Sequence, residues 1–177
     1  PRRLAARGKT SGPAAGSVVC ARHMGGLKAE RGQCITIDVG YQYFSPKRRP
    51  FVVAVKPSHE QYARNMATGA SNADLAVLLV DARKGLLAQT RRHAIIAGLL
   101  GIRHVVLAVN QIDLVDFDQA AFYRIVEDFF DFAGEIGFQA IRGIPISARN
   151  GGNLSAPQAQ TPWSTGHGVL QFSKAPR

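Results

Sequence analysis

Two uninterrupted aliphatic runs constrain the fold of this chain more than any other feature. They are Leu75–Asp81 (LAVLLVD) and His104–Asn110 (HVVLAVN), and neither alternates with polar residues as a half-exposed strand would. Strands of this kind occur in parallel sheets that are covered on both faces. The pattern therefore predicts an α/β fold, with a mostly parallel sheet and helices on both of its faces.

The segments around these strands have helical periodicity. Thr90 is predicted as the N-cap of a helix that runs to Leu100, and Gly101 lies just past the end of that helix. A last short strand is predicted over Gly143–Ser147. Apolar residues at helical spacing predict helices over His59–Ala70, Thr90–Leu100 and Gln119–Ile136.

A hairpin is predicted before the parallel sheet. Apolar and polar residues alternate over Cys34–Phe44, which is typical of a half-buried strand. A polar turn containing two prolines follows, and then the short apolar run Phe51–Val55. The second run is therefore expected to pair with the first.

Positive charge is concentrated in the N-terminal part of the chain, which bears on the partners that the chain could bind. The net charge is +10, and residues 1–50 contain ten Lys or Arg against two Asp or Glu. We therefore predict a basic, weakly ordered segment over residues 1–32 and an α/β domain over residues 33–154. A basic segment can bind nucleic acid, but no aromatic residues are interleaved with these charges, so a nucleic-acid partner is not favoured.

The same composition bears on the compartment. No apolar run approaches the roughly 18 residues of a membrane span, so no membrane association is expected. Cys20 and Cys34 have neither a metal-binding spacing nor the pattern of a disulfide framework. These features favour a reduced, cytoplasmic protein.

Polar residues follow two of the buried strands at the edge where parallel sheets bind ligands. Asn110-Gln111-Ile112-Asp113 follows one strand and Ser147-Ala148 follows the next. A carboxylate at Asp113 can accept hydrogen bonds from the ring N–H and the exocyclic amine of guanine, a donor pair that adenine lacks. Asn110 can bridge the base and a neighbouring loop, and backbone N–H groups near Ala148 can donate to the guanine carbonyl oxygen.

A plainer interpretation of Asn110 and Asp113 stays open. Both residue types are common in turns and at helix caps, so this spacing by itself fits a strand-ending turn followed by a cap. The presence of Ser147-Ala148 after the next strand favours guanine recognition over that interpretation.

Together these segments resemble the GTPase domain of the large subunit of bacterial sulfate adenylyltransferase, within the elongation-factor-like GTPases. The resemblance covers roughly residues 24–172, and Thr161–Trp163 is similar to the family's segment leading out of the domain, so residues 155–177 are expected to be an exit segment. The segments that carry the resemblance are Gly26–Phe44, His59–Gly85, Gln89–Phe117 and Ile144–Leu154.

The resemblance implies roles for individual residues and for the fold, a three-layer sheet of the phosphate-loop GTPase type. Thr36 matches the residue that contacts Mg²⁺ and the γ-phosphate, and His59 matches the histidine that positions the attacking water. GTP or GDP and Mg²⁺ are the implied cofactors. The implied nucleotide-binding residues are Asn110, Gln111, Asp113, Ser147 and Ala148.

The resemblance also implies an activity and a partner. In this family, GTP hydrolysis is coupled to adenylyl transfer from ATP to sulfate, which yields adenosine 5′-phosphosulfate. The site of adenylyl transfer lies on a separate small subunit, which is therefore the expected partner.

The sequence departs from the family pattern at the phosphate end of the site. No GxxxxGK[ST] loop occurs in these 177 residues, and the chain starts near the family's switch region, so the fold is expected to be incomplete at its N-terminus. Val55 and Ser58 replace an aspartate and a glycine, and Gln111 replaces a lysine. Nucleotide binding and hydrolysis are thus expected to be impaired, which leaves a non-catalytic interaction module or a gene remnant as alternatives.

Overall fold

The computed structural model describes residues 40–44, 50–55, 70–154, 157–164 and 168–169. The chain divides into two compact units, residues 1–69 and 70–177, and each is described by itself below. Several predicted features lie outside the described residues: Thr36, Ser58, His59 and all but the last residue of the helix predicted over His59–Ala70.

The described part of the first unit is an antiparallel hairpin. Strand β1 (Gly40–Phe44) pairs with strand β2 (Phe51–Val55), and the register runs from Gly40 opposite Val55 to Phe44 opposite Phe51. The predicted pairing of these two segments is confirmed.

The second unit contains a parallel sheet of three strands in the order β3-β4-β5. Strand β3 (Leu75–Asp81) and strand β4 (His104–Asn110) have the predicted bounds, and the parallel pairing is confirmed. Strand β5 comprises Ala140–Pro145, not the predicted Gly143–Ser147, because its ladder with β4 begins at Ala140 opposite His104. The exposed Arg142 interrupts the apolar pattern there, so the early part of β5 has no buried-strand signal.

Helix α1 comprises Ala88–Leu99 and connects β3 to β4. The prediction that Thr90 is its N-cap is wrong, because the helix begins two residues earlier and Leu87 occupies the cap without a side-chain hydrogen bond. Leu86 packs against the core, and the chain turns into the helix directly after it. Gly101 follows the helix with a φ of +83°, the left-handed conformation that glycine adopts at no steric cost.

Helix α2 comprises Gln119–Ala133 and connects β4 to β5. The side chain of Asp118 caps it by accepting hydrogen bonds from the backbone N–H of Ala120 at 2.9 Å and of Ala121 at 3.2 Å. Such a cap contributes about 1 kcal/mol to helix stability. The helix ends three residues before the predicted Ile136, since Gly134, a poor helix former, follows Ala133.

Both helices pack on one face of the sheet. Leu107 and Phe129 are fully buried there, and Ala94 of α1 belongs to the same cluster. A Cβ at Gly143 would come within 2.6 Å of the Val126 side chain, so glycine lets α2 approach β5 closely. The other face packs against the C-terminal part of the unit through Val106, Ala108, Ile144, Ile146, Leu154 and Val169.

Within the described ranges, no helix combines the length and the apolar character that crossing a membrane would require.

Candidate functional site

The carboxyl ends of the three parallel strands lie together at one edge of the sheet. Asp81 at the end of β3 is in register with Asn110 at the end of β4, and the Ala82 N–H donates to the Asn110 carbonyl at 2.9 Å. Beyond β5, the Ile146 N–H donates to the Val109 carbonyl at 2.8 Å. The residues that follow β4 and β5 are therefore held side by side, as the strand pattern predicts.

The Asn110–Asp113 segment makes a tight turn. Gln111 has a left-handed backbone (φ 61°, ψ 31°), which is uncommon for a residue other than glycine, and a short 3-10 helix over Ile112–Val115 follows. No side chain caps that short helix. The Asp113 carboxylate is partly exposed and makes no hydrogen bond or ion pair within the described residues. It is therefore available to accept hydrogen bonds from a ligand.

A second loop lies next to this turn. The buried Ser147 opens it and forms an isolated antiparallel bridge with Gly152. The backbone N–H of Ala148 donates to Oδ1 of Asn110 at 3.1 Å, which ties the loop after β5 to the turn after β4. In the described part of the chain, the buried Oγ of Ser147 has no hydrogen-bond partner.

The buried Asn153 stabilises the Ser147 loop through its side-chain hydrogen bonds, a role that the sequence did not predict. Asn153 donates through Nδ2 to the Pro145 carbonyl at 2.8 Å and to Oγ1 of Thr161 at 2.9 Å. Its Oδ1 accepts from the Gln158 N–H at 2.7 Å. These bonds fix both ends of the loop, although an asparagine in a polar stretch carries no signal of burial.

An arginine network at the end of β3 was also missed by sequence reasoning. Arg83 forms a bidentate ion pair with Asp81, in which Nε donates to Oδ1 at 3.0 Å and Nη2 donates to Oδ2 at 2.7 Å. Nη2 also donates to Oε1 of Gln111 at 2.7 Å. The bidentate pair holds the pKa of Asp81 below its ordinary value and raises that of Arg83. The ion pair thus persists at neutral pH and is lost only as the pH falls through the lowered pKa of Asp81.

The implied Mg²⁺ ion finds no complete set of ligands in the described part of the chain. No group of three or more His, Cys, Asp or Glu residues that could hold a metal ion occurs there. Val55, at the end of β2, is apolar where the family pattern has a carboxylate, and Thr36 lies outside the described residues. The described residues therefore do not fit a Mg²⁺ site.

Comparisons with known proteins agree on one family. Residues 4–164 match the profile described as Elongation factor Tu GTP binding domain, a match that begins earlier than the expected resemblance over residues 24–172. The bifunctional enzyme NodQ of Rhizobium meliloti (strain 1021) is 55% identical over 172 residues, which are 96% of this chain and 27% of that protein. Sulfate adenylyltransferase subunit 1 of Laribacter hongkongensis (strain HLHK9) is 56% identical over 147 residues, covering 83% of this chain and 31% of that protein.

The fold has a counterpart among solved structures. A bacterial selenocysteine-specific elongation factor, EF-Sec, superimposes with a TM-score of 0.64 at 24% identity, over 72% of this chain and 22% of that one. This likeness confirms the α/β fold of the GTPase type. The chain spans about a quarter to a third of the length of the curated relatives.

Proposed function

Because the chain belongs to the elongation factor Tu GTP binding domain family, we propose that the ends of β4 and β5 bind the base of a guanine nucleotide. In this proposal Asn110 and Asp113 contact the base, and Ser147 and Ala148 form the loop behind it. The observation that carries the proposal is the 3.1 Å hydrogen bond from the Ala148 N–H to Oδ1 of Asn110. This bond joins two loops that are 38 residues apart in the sequence.

The chemistry of the site fits guanine better than adenine. The carboxylate of Asp113, which has no partner among the described residues, can accept from two neighbouring donors, and guanine presents that pair on one edge whereas adenine does not. An adenine in the same place would leave a desolvated carboxylate without partners, which costs more than a lost neutral hydrogen bond. Selectivity for guanine therefore follows from one side chain.

The phosphate end of the nucleotide is proposed to be bound weakly. These 177 residues contain no GxxxxGK[ST] loop, and β2 ends in Val55. Each charge-assisted hydrogen bond that such a loop makes contributes roughly 1.5–3 kcal/mol, so its lack removes several decades of affinity. Any hydrolysis by the chain would rely on His59 to position water.

The similar proteins suggest the metabolic process in which this domain acts. Sulfate adenylyltransferase subunit 1 is among them, so we propose that this domain serves sulfate activation, in which GTP hydrolysis drives the synthesis of adenosine 5′-phosphosulfate. Its partner would then be the small subunit that carries out adenylyl transfer. A non-catalytic interaction module is the second candidate, and the apolar Val55 at a position for a metal-binding carboxylate favours it.

The proposed site can be located by following backbone amides in the NMR spectrum of the ¹⁵N-labelled chain. Adding GDP should shift the amide signals of Gln111 and Ala148, whereas ADP at equal concentration should not. The Ala120 amide, which donates to Asp118 at the start of α2, serves as the internal control. Replacing Asn110 with alanine removes the amide proposed to contact the base, together with the Oδ1 acceptor that ties the Ser147 loop to the turn. It should therefore weaken GDP binding by about 3- to 10-fold.

Two results would count against the proposal. Shifts spread evenly over the chain, with Ala120 moving as much as Ala148, would indicate nonspecific association. Equal shifts from ADP and GDP would mean that Asp113 does not discriminate between purines.

A further inference from the structure

Arg83 is held more rigidly than an exposed arginine usually is. Three hydrogen bonds fix its guanidinium, two to Asp81 and one to Gln111, at 2.7 to 3.0 Å. The Arg83 side chain is nevertheless 47% exposed. In the described part of the chain its Nη1 makes no hydrogen bond. A flat cation is thus fixed in one orientation with part of its surface open.

The position of Arg83 relates it to the proposed base-binding turn. Gln111 lies between Asn110 and Asp113, and its side-chain oxygen accepts from Arg83 across 28 residues of sequence. Asp81, which holds the other side of the guanidinium, is in register with Asn110. The network therefore places the cation beside the turn that would contact the edge of a purine.

A purine held by its edge leaves its two faces to be covered by other groups. Guanidinium groups stack on aromatic faces through cation–π attraction and planar contact, and a group that is already immobilised loses little entropy on binding. Gln111 itself has a neutral amide and a short stem, so it offers no cation for this purpose.

We propose that Arg83 covers one face of the guanine base and that Asp81 and Gln111 are positioning residues that hold the guanidinium there. This inference rests on the proposed function of the same site. It assigns a direct role in binding the base to the residue two positions after β3, and it gives a function to the hydrogen bond between Arg83 and the side-chain amide of Gln111.

An anion is the competing occupant for the same arginine. Arg83 also lines a cavity of about 260 Å³ together with Lys84, Arg124 and Asp128. If Arg83 served that cavity, its removal would weaken the binding of phosphates and leave the binding of a nucleoside unchanged. Separate probes for base and phosphate therefore distinguish the two roles.

The experiment is a set of titrations of the full chain with guanosine, with GDP and with inorganic pyrophosphate, each followed by isothermal titration calorimetry. Arg83→Ala should weaken guanosine and GDP by the same factor, about 3- to 30-fold, and should leave pyrophosphate unchanged. Arg83→Lys keeps the charge but not the planar fork, and it should restore only part of the loss. Arg103→Ala removes an arginine at the other end of β4, where Nη1 donates to the Gly137 carbonyl, and it should change nothing.

Each outcome separates this inference from the function on which it rests. If the unaltered chain binds guanosine and Arg83→Ala binds it equally well, the stacking role is wrong while guanine recognition stands. A loss confined to pyrophosphate assigns Arg83 to the anion cavity and also overturns the inference. If the unaltered chain binds neither guanosine nor GDP, guanine recognition fails and the role of Arg83 fails with it.

Discussion

Replacing Asp113 with asparagine is expected to lower the affinity for guanosine and GDP by about 100-fold or more. The carboxylate accepts from both the ring N–H and the exocyclic amine, whereas an amide offers one acceptor and places its NH₂ group against the guanine amine. Two donors then face each other in a desolvated position. The partly exposed Asp113 has no hydrogen bond to lose within the described residues, so the fold should be unaffected.

The same substitution should create a new preference. Xanthine has a carbonyl oxygen where guanine has the exocyclic amine, so the asparagine can donate to that oxygen and accept from the ring N–H. Xanthosine should therefore bind Asp113→Asn more tightly than guanosine does. Asp116→Asn, three residues further along the same loop and exposed, is the matched control. Unchanged guanosine affinity in Asp113→Asn would show that Asp113 does not contact the base.

Replacing Phe129 with alanine is expected to destabilise the domain by about 3–5 kcal/mol. Its ring is fully buried at the centre of the cluster between α2 and the sheet, beside Leu107, Ile125 and Phe132. Truncation loses the burial of the ring and leaves a cavity that well-packed neighbours fill only in part. The measurement is urea denaturation followed by circular dichroism.

The neighbouring residue on the same helix provides the control for Phe129. Phe130 is 45% exposed, so its replacement by alanine should cost far less, about 1 kcal/mol or under. Equal destabilisation by the two substitutions would mean that α2 does not pack on the sheet through the face described. Because neither phenylalanine belongs to the proposed site, this test concerns the fold alone.

The parallel sheet could be predicted from the sequence because its signal is local. Continuous aliphatic residues over β3 and β4 are what burial on both faces requires, and the structure confirms both strands. The start of β5 could not be predicted in this way, since Arg142 and Gly143 interrupt the apolar run. There the hydrogen-bonded ladder with β4, which is a tertiary feature, decides where the strand begins.

Only the part of the site that consists of short, local motifs could be predicted from the sequence. Asn110, Asp113, Ser147 and Ala148 lie at or just after the ends of predicted strands, and the structure places the two loops in contact. The roles of Arg83 and Asn153 depend on hydrogen bonds to residues that are distant in sequence or hidden in a polar stretch. Neither periodicity nor residue spacing in the sequence indicates such partners, so only the folded structure shows them.

A calorimetric titration of the folded chain with GDP would show whether the ends of β4 and β5 select guanine. ADP serves as the control, and each titration is run with and without Mg²⁺. We expect weak heat from GDP and none from ADP, because the two loops proposed to contact the base are joined by a hydrogen bond. Little effect of Mg²⁺ is expected, because Val55 is apolar where the family pattern has a carboxylate. Equal heat from ADP and GDP would contradict guanine selectivity at this site. No heat from either nucleotide, on a chain shown to be folded by circular dichroism, would contradict guanine binding altogether.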